Sequence, residues 1–386
     1  MKSILDISHA TELRRYIWYS AVIIFCVLLI PFVSEFFCNC GMRWCYILLF
    51  SFSLSAVLTP IMRLIALKFD VMDNPGGRKI HIERTPLLGG IAIVASFAGA
   101  LLSNMILDRS MTASLLGGFV VASVSLVDDW KEAPAWIKLM VQLGVVLLLM
   151  YCGIIVDLFP EDRWWGQALN GIFTILWIIG ITNAMNFIDG MDGLAAGIGA
   201  IMSAFLAIVA YQTNQPLMGW IALALMGSCL GFLPFNFCIT RPASIYLGDT
   251  GSTFIGFTLA TLALQGYWAD NSRIVSFSAP VLIFWILIFD MAYITVERIV
   301  TGKVKSIKEW IDYVGTDHIH HRLYALLGDK RKAVLFIYFL CTTLGISAIV
   351  LRYARPLDAI LLVAQACLIT IIVSIVEYSG RQRPDK

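Results

Sequence analysis

The chain has 386 residues, 59% of them hydrophobic and 14% charged, with a net charge of +2 and a mean hydropathy of +0.82. A soluble domain carries about 25% charged residues, so a soluble globular fold is excluded and a polytopic membrane protein is implied. The lipid bilayer is therefore the first expected partner, and no nucleic-acid partner is expected.

The first sixteen residues, MKSILDISHATELRRY, are mixed polar and lead into an apolar run, which reads as a cytosolic stub rather than a cleavable signal. Hydropathy then predicts about twelve spans, roughly 16–35, 44–67, 87–106, 111–127, 136–156, 168–186, 194–211, 218–235, 250–267, 276–297, 333–351 and 357–378. The expected fold is all-α: a single polytopic domain over 1–386 with 11 to 12 transmembrane helices, and a histidine loop at 298–332. The nine cysteines include no CxxC pair, so a zinc site is not expected and most read as small buried hydrophobes.

The loops alternate in character. Those after the odd-numbered spans hold Arg43, Arg109, Arg163, Arg273, Arg352 and Arg355 but no lysine. All the lysines fall on the other side, which the positive-inside rule assigns to the cytoplasm together with both termini. Every polar, motif-like stretch also falls on that side: 68–86, 128–135, 187–193, 236–249 and 298–332. One composite site on the cytoplasmic face of the plasma membrane is therefore expected.

The stretches differ in what they offer. Asp128 and Asp129 close a span in SLVDDWKEAPAWIK, and adjacent carboxylates at a membrane surface are costly unless a cation or proton compensates them. Lys138 begins the next span, where it could meet a phosphate. In NAMNFIDGMDG, Asn183, Asn186, Asp189 and Asp192 recur every three residues. That spacing shares a face on a helical turn, and Gly190 and Gly193 let the backbone bend around a ligand. Hard oxygen donors suit Mg²⁺, with Mn²⁺ as a substitute. Helix capping accounts for one or two such residues but not for four. Asp249 in LGDTGS stands at the mouth of a span, where a carboxylate suits a metal and the helix N-terminus suits an anion. Tyr246 precedes it and could stack on a flat base, although interfacial belting is the commoner reason for a tyrosine. In DHIHHRL, His318, His320, His321 and Arg322 offer donors to phosphate or sugar hydroxyls, or ligands to zinc. With Arg78, Lys79 and Lys138, these groups would hold a divalent cation and a pyrophosphate.

The ordered set DNPGGRKIHIERTPLLGG, DDWKEAPAWIKLMVQ, NAMNFIDGMDGLAAG, GDTGSTFIGF and HIHHRL resembles the polyprenyl-phosphate N-acetylhexosamine-1-phosphate transferases and spans residues 73–323. The resemblance implies a UDP-sugar donor, a polyprenyl phosphate acceptor, release of UMP and a Mg²⁺ requirement. A homodimer is compatible with it. It implies metal-proximal roles for Asn186 and Asp249, a catalytic pair in Asp128 and Asp129, and phosphate contact by Lys138. Asp189 and Asp192 match positions near the nucleotide, Tyr246 a uracil-associated aromatic, and the histidines a loop near the sugar and phosphates. The RKIH wording, with Arg78, Lys79 and His81, and the HIHH wording look like the branch that uses UDP-GlcNAc or a similar sugar. The branch using UDP-MurNAc-pentapeptide has different loop wording. A transporter for a divalent cation or nucleotide sugar is the alternative of another class. Two departures stand out: NFCITRPASIYLGD is about three residues longer than usual, which puts a nucleotide role for Asn236 in doubt, and the stretch before the histidines is long.

Overall fold

The computed structural model describes residues 2–73, 84–106, 108–131, 134–238, 241–270, 272–306, 309–310, 313, 315 and 317–381. Fifteen α-helices run in chain order through these residues: α1 Lys2–Leu28, α2 Pro31–Asn39, α3 Arg43–Lys68, α4 Gly89–Ser103, α5 Arg109–Trp130, α6 Ala135–Tyr151, α7 Trp164–Ile188, α8 Leu194–Gln212, α9 Pro216–Asn236, α10 Gly248–Gln265, α11 Arg273–Ile283, α12 Trp285–Val300, α13 Ile319–Leu327, α14 Lys330–Ile349 and α15 Pro356–Arg381. The one sheet among them pairs β1 Met72–Asp73 with β2 Thr85–Pro86, antiparallel. An apolar bilayer leaves the backbone no partner but itself, which is why the long hydrophobic runs become helices.

Among the described residues seven helices are long and apolar enough to cross a membrane, and counting the bent pairs α1–α2 and α11–α12 as one span each gives nine. Helices α4 and α6 are shorter apolar elements, and α10 has 18 residues. Each of the twelve expected runs thus falls on one helix or one bent pair, and the chain is a multi-pass membrane protein. The bends have local causes. Ile30 is extended (φ −73°, ψ 121°) because Pro31 follows it, and α2 leaves α1 at 79°. Phe284 leaves helical geometry (φ −94°, ψ 11°) as the C-cap of α11 and the N-cap of α12, and α12 turns away there by 78°.

The core is organised around α8, whose apolar window is 78% buried against 17% for the peripheral α15. Helix α9 packs on α3 at very close range. A methyl group at Gly227 would lie 2.1 Å from Ser51 Oγ, and one at Gly231 would lie 2.2 Å from Phe52 O. Lipid supplies no hydrophobic drive between helices, so small residues that bring backbones together do that work. Ser55 adds a hydrogen bond from its hydroxyl to Ser228 O at 2.7 Å. All nine cysteines are free thiols.

Candidate active site

Helix α5 ends in Asp128, Asp129 and Trp130, and α10 begins at Gly248, whose φ of +73° turns the chain into the helix. Asp129 reaches across to that helix N-terminus. Its carboxylate accepts hydrogen bonds from Asp249 N at 2.8 Å, Thr250 N at 3.0 Å and Thr250 Oγ1 at 2.6 Å. This is an N-cap supplied from another helix, and a carboxylate there also meets the positive end of the α10 dipole. Asp128 has a different partner: Lys138 Nζ lies 2.5 Å from its Oδ2 and 2.8 Å from Asp249 Oδ2. One ammonium on α6 therefore bridges carboxylates from α5 and α10.

The turn between α7 and α8 meets the same place. Asn186 Nδ2 donates to Ser252 Oγ at 3.0 Å, one turn along α10 from Asp249. Asn183 instead ties α7 to α6, donating to Gln142 Oε1 at 2.7 Å and to Ile179 O at 2.8 Å. Asp189 follows the last residue of α7, and burial together with the carboxylates of Asp249, Asp129 and Asp192 pushes its carboxyl well above the usual range. Asp192 accepts from Ala243 N at 2.9 Å. Gly193 N donates to Asn236 Oδ1 at 2.7 Å, and Asn236 Nδ2 donates to Ile245 O at 3.0 Å. Asn236 is thus a buried strut between two loops. Tyr246 joins the first loop to the site, its N–H donating to Pro86 O and its carbonyl accepting from Gly89 N. Burial first, with Asp192 and Asp73 nearby, pushes its phenol up to about 12, so it stays a neutral donor.

The histidines arrive on α13. His320 is 1% exposed and packs on Gly190, where a methyl group would lie 2.3 Å from its Nε2. Among the described residues neither of its ring nitrogens has a hydrogen-bond partner. Burial, with His321, His318 and Arg322 around it, lowers its pKa well below the ordinary histidine value, so the ring is neutral. His321 is half-buried and also lowered, chiefly by burial. His318 packs against Phe187 and stacks near His320, with ring centroids 5.7 and 5.8 Å away. Its Nδ1 lies 2.7 Å from Asp290 Oδ2. Arg322 is buried on the inner side of this group, 3.7 Å from Asp290, 3.5 Å from Glu377 and 3.9 Å over the Tyr293 ring.

The expected constellation is therefore largely one place. Asp128, Asp129, Lys138, Asn186, Asp189, Asp192, Tyr246, Asp249 and His320 lie on helix ends and loops that meet at one end of the bundle. Asn183 and Arg322 are engaged by internal partners. Arg78, Lys79 and His81 lie outside the described residues. Sequence reasoning saw in Thr250 and Ser252 only small residues suited to an anion at a helix N-terminus, and it passed over Gln142, which looks like an ordinary polar residue in a span. It also passed over Asp290, although a carboxylate inside an apolar run is itself a signal.

The donor set fits a divalent cation. It consists of hard oxygens, and the crowding of carboxylates around Asp189 is what such an ion relieves. Among the described residues no three His, Cys, Asp or Glu side chains form a ready cage, so bound phosphate oxygens and water would have to complete the shell.

A multi-pass membrane bundle with a lysine, carboxylates and histidines converging at one face defines a membrane protein suited to phosphate chemistry. Comparison with known proteins makes this specific. Residues 111–267 match glycosyl transferase family 4. The chain is 36% identical over 307 residues to a probable undecaprenyl-phosphate N-acetylglucosaminyl 1-phosphate transferase of Bacillus subtilis (strain 168), covering 77% of this chain and 82% of the relative. It is 27% identical to a decaprenyl-phosphate N-acetylglucosaminephosphotransferase of Mycolicibacterium smegmatis, covering 84% and 86%. A phospho-N-acetylmuramoyl-pentapeptide-transferase of Heliobacterium modesticaldum is 33% identical over 229 residues, covering 54% and 68%. The chain belongs to glycosyl transferase family 4.

Proposed function

We propose that the chain transfers GlcNAc-1-phosphate from UDP-GlcNAc to a polyprenyl phosphate and releases UMP. The observation that carries this reading is the Lys138 ammonium held between Asp128 and Asp249, beside the Asn186–Ser252 contact. The reading is supported further by the names of the relatives that align over most of the chain.

In the transfer, an oxygen of the lipid phosphate attacks the sugar-bearing phosphorus of the donor. A new P–O bond forms, and the P–O bond to UMP breaks with its electron pair leaving on the UMP phosphate. The work of the protein is positioning and charge neutralisation. Asp128 orients the lipid phosphate and takes its proton when it carries one. Lys138 neutralises charge between the two phosphates. Asn186 and Asp249 are the residues that would hold Mg²⁺, which when bound neutralises the pyrophosphate and stabilises departing UMP. His320 and its neighbours donate to or accept from the sugar-phosphate. A route through an aspartyl phosphosugar would use the same residues, with Asp128 as nucleophile.

The site faces the cytoplasm of the plasma membrane, and both termini lie on that side. Cysteine labelling tests this: a label at Lys305 should report the cytoplasm and one at Asp162 the outside. The activity itself is tested with radiolabelled donors and undecaprenyl phosphate in detergent. UDP-GlcNAc should yield labelled lipid and UMP, and UDP-MurNAc-pentapeptide should not. Transfer from the pentapeptide donor alone would reassign the substrate, and transfer from neither would reject the reading.

A further inference from the structure

Asp290 sits in the middle of α12, the second arm of the bent pair, and is 3% exposed. A carboxylate inside an apolar membrane helix is expensive and persists only where it is compensated. Its oxygens are both turned to the start of α13. Oδ2 lies 2.7 Å from His318 Nδ1, and Oδ1 accepts from Ile319 N at 2.7 Å. His318 is the N-cap residue of α13 but makes no side-chain cap of its own, so Asp290 supplies the cap from another helix while engaging the imidazole. Arg322 Nη2, 3.7 Å from Oδ1, compensates the charge, and Glu377 of α15 faces the other side of that guanidinium.

The consequence is chemical. A carboxylate on Nδ1 fixes the imidazole's orientation and keeps a proton on that nitrogen, which leaves Nε2 as the working atom. The His318 ring lies between Phe187, in the asparagine–aspartate motif, and His320, which packs on Gly190 of the same motif. We infer that Asp290 is a positioning residue: it sets His318 so that Nε2 is presented to the phosphate-bearing donor in the site. This rests on the transfer reading above and adds a residue that the motif wording does not include. It also makes the bend of α11 and α12 part of the active site, because the bend fixes where Asp290 meets α13.

The test is a double-mutant cycle with Asp290→Asn and His318→Gln, measured as UMP release and as melting temperature in detergent. Asparagine keeps an oxygen for Ile319 N but loses the charge on Nδ1. Asp290→Asn should lower kcat about 10–100-fold, the usual cost of losing a partner that orients a working histidine, with KM for UDP-GlcNAc changed far less. The double variant should be within about twofold of His318→Gln alone, since two residues acting as one unit are not additive. Unchanged turnover in Asp290→Asn overturns the inference, and so do fully additive losses. A collapse of the melting transition in Asp290→Asn also overturns it, by making the carboxylate a support of the fold. A wild-type protein that transfers no UDP-sugar rejects the transfer reading instead, so the two failures are distinct.

Discussion

Lys138 Nζ lies 2.8 Å from Asp249 Oδ2 although 111 positions separate the two in sequence. The same ammonium touches Asp128, so removing it takes away the cation that bridges two partly buried carboxylates. Lys138→Met should therefore cut turnover by at least about 100-fold, because charge stabilisation at the reacting phosphates is lost. Turnover within about twofold of wild type would remove Lys138 from the mechanism.

The adjacent aspartates separate into two jobs. Asp129 spends its oxygens on the first turn of α10, while Asp128 meets Lys138. Asp128→Asn should leave the melting temperature near wild type and lower kcat by several orders of magnitude, with donor affinity little changed. Asp129→Ala should destabilise the protein by about 1–2 kcal/mol, the worth of a lost helix cap, and displace Asp249. Equal effects of the two variants on stability would contradict this division. Thermal melting and donor binding in detergent measure it.

The Arg298–Asp317 pair just before the histidines gives a pH signature. Arg298 Nε and Nη2 donate to the Asp317 carboxylate at 2.7 and 2.8 Å, and the guanidinium also lies 4.4 Å from the Tyr313 ring centre. Burial alone would raise the Asp317 carboxyl, but the hydrogen bonds and charge of Arg298 outweigh it and hold the group below the usual range. A depressed folded pKa means that the stabilisation is complete above the unfolded value of about 3.9 and is lost as pH falls through the folded one. Asp317→Asn should then melt several degrees below wild type at neutral pH, and the gap should close in acid. A gap that is constant with pH would show that the pair contributes nothing through its charge.

Much of this was legible from residue order because the bilayer imposes a simple code. Twelve apolar runs gave twelve helical segments, and the parity of loops brought the five motif-bearing stretches to one end, where Asp129 meets Thr250 and His320 meets Gly190. Hydropathy counts composition over a window and carries no direction, so the 79° and 78° bends at Ile30 and Phe284 were not visible in it. The division between Asp128 and Asp129 was also hidden, since it depends on where the N-terminus of α10 points. Asp290 was lost inside the run 276–297 because its partner, His318, lies 28 positions away on another helix. The long stretch before the histidines, GKVKSIKEWIDYVGTDHIHH, begins at Gly302, just beyond α12, which ends at Val300.

A bound divalent cation would join the asparagine–aspartate motif to the LGDTGS motif. Asn186 reaches the first turn of α10 through Ser252, to whose Oγ its Nδ2 donates, and Asp249, three residues earlier on that turn, faces Lys138. Both offer hard oxygens suited to Mg²⁺, but two protein ligands cannot fill an octahedral shell, so tight binding should need the donor's pyrophosphate. Mn²⁺ should therefore bind weakly to the protein alone and much more tightly with UDP-GlcNAc present, read by electron paramagnetic resonance independently of turnover. Asp249→Ala should abolish that tight site and the Mg²⁺-dependent transfer, and excess Mg²⁺ should not restore it. Asn186→Ala should raise the Mg²⁺ concentration needed for half-maximal activity while leaving activity at saturation largely intact, because a neutral ligand contributes less than a charged one. Chelator should silence the wild type, with partial recovery on adding Mn²⁺. If Asn186→Ala kept the wild-type Mg²⁺ requirement and the wild-type Mn²⁺ spectrum, the asparagine would be a helix-packing residue bound to Ser252, and the ion would have to be held by Asp249 with other partners.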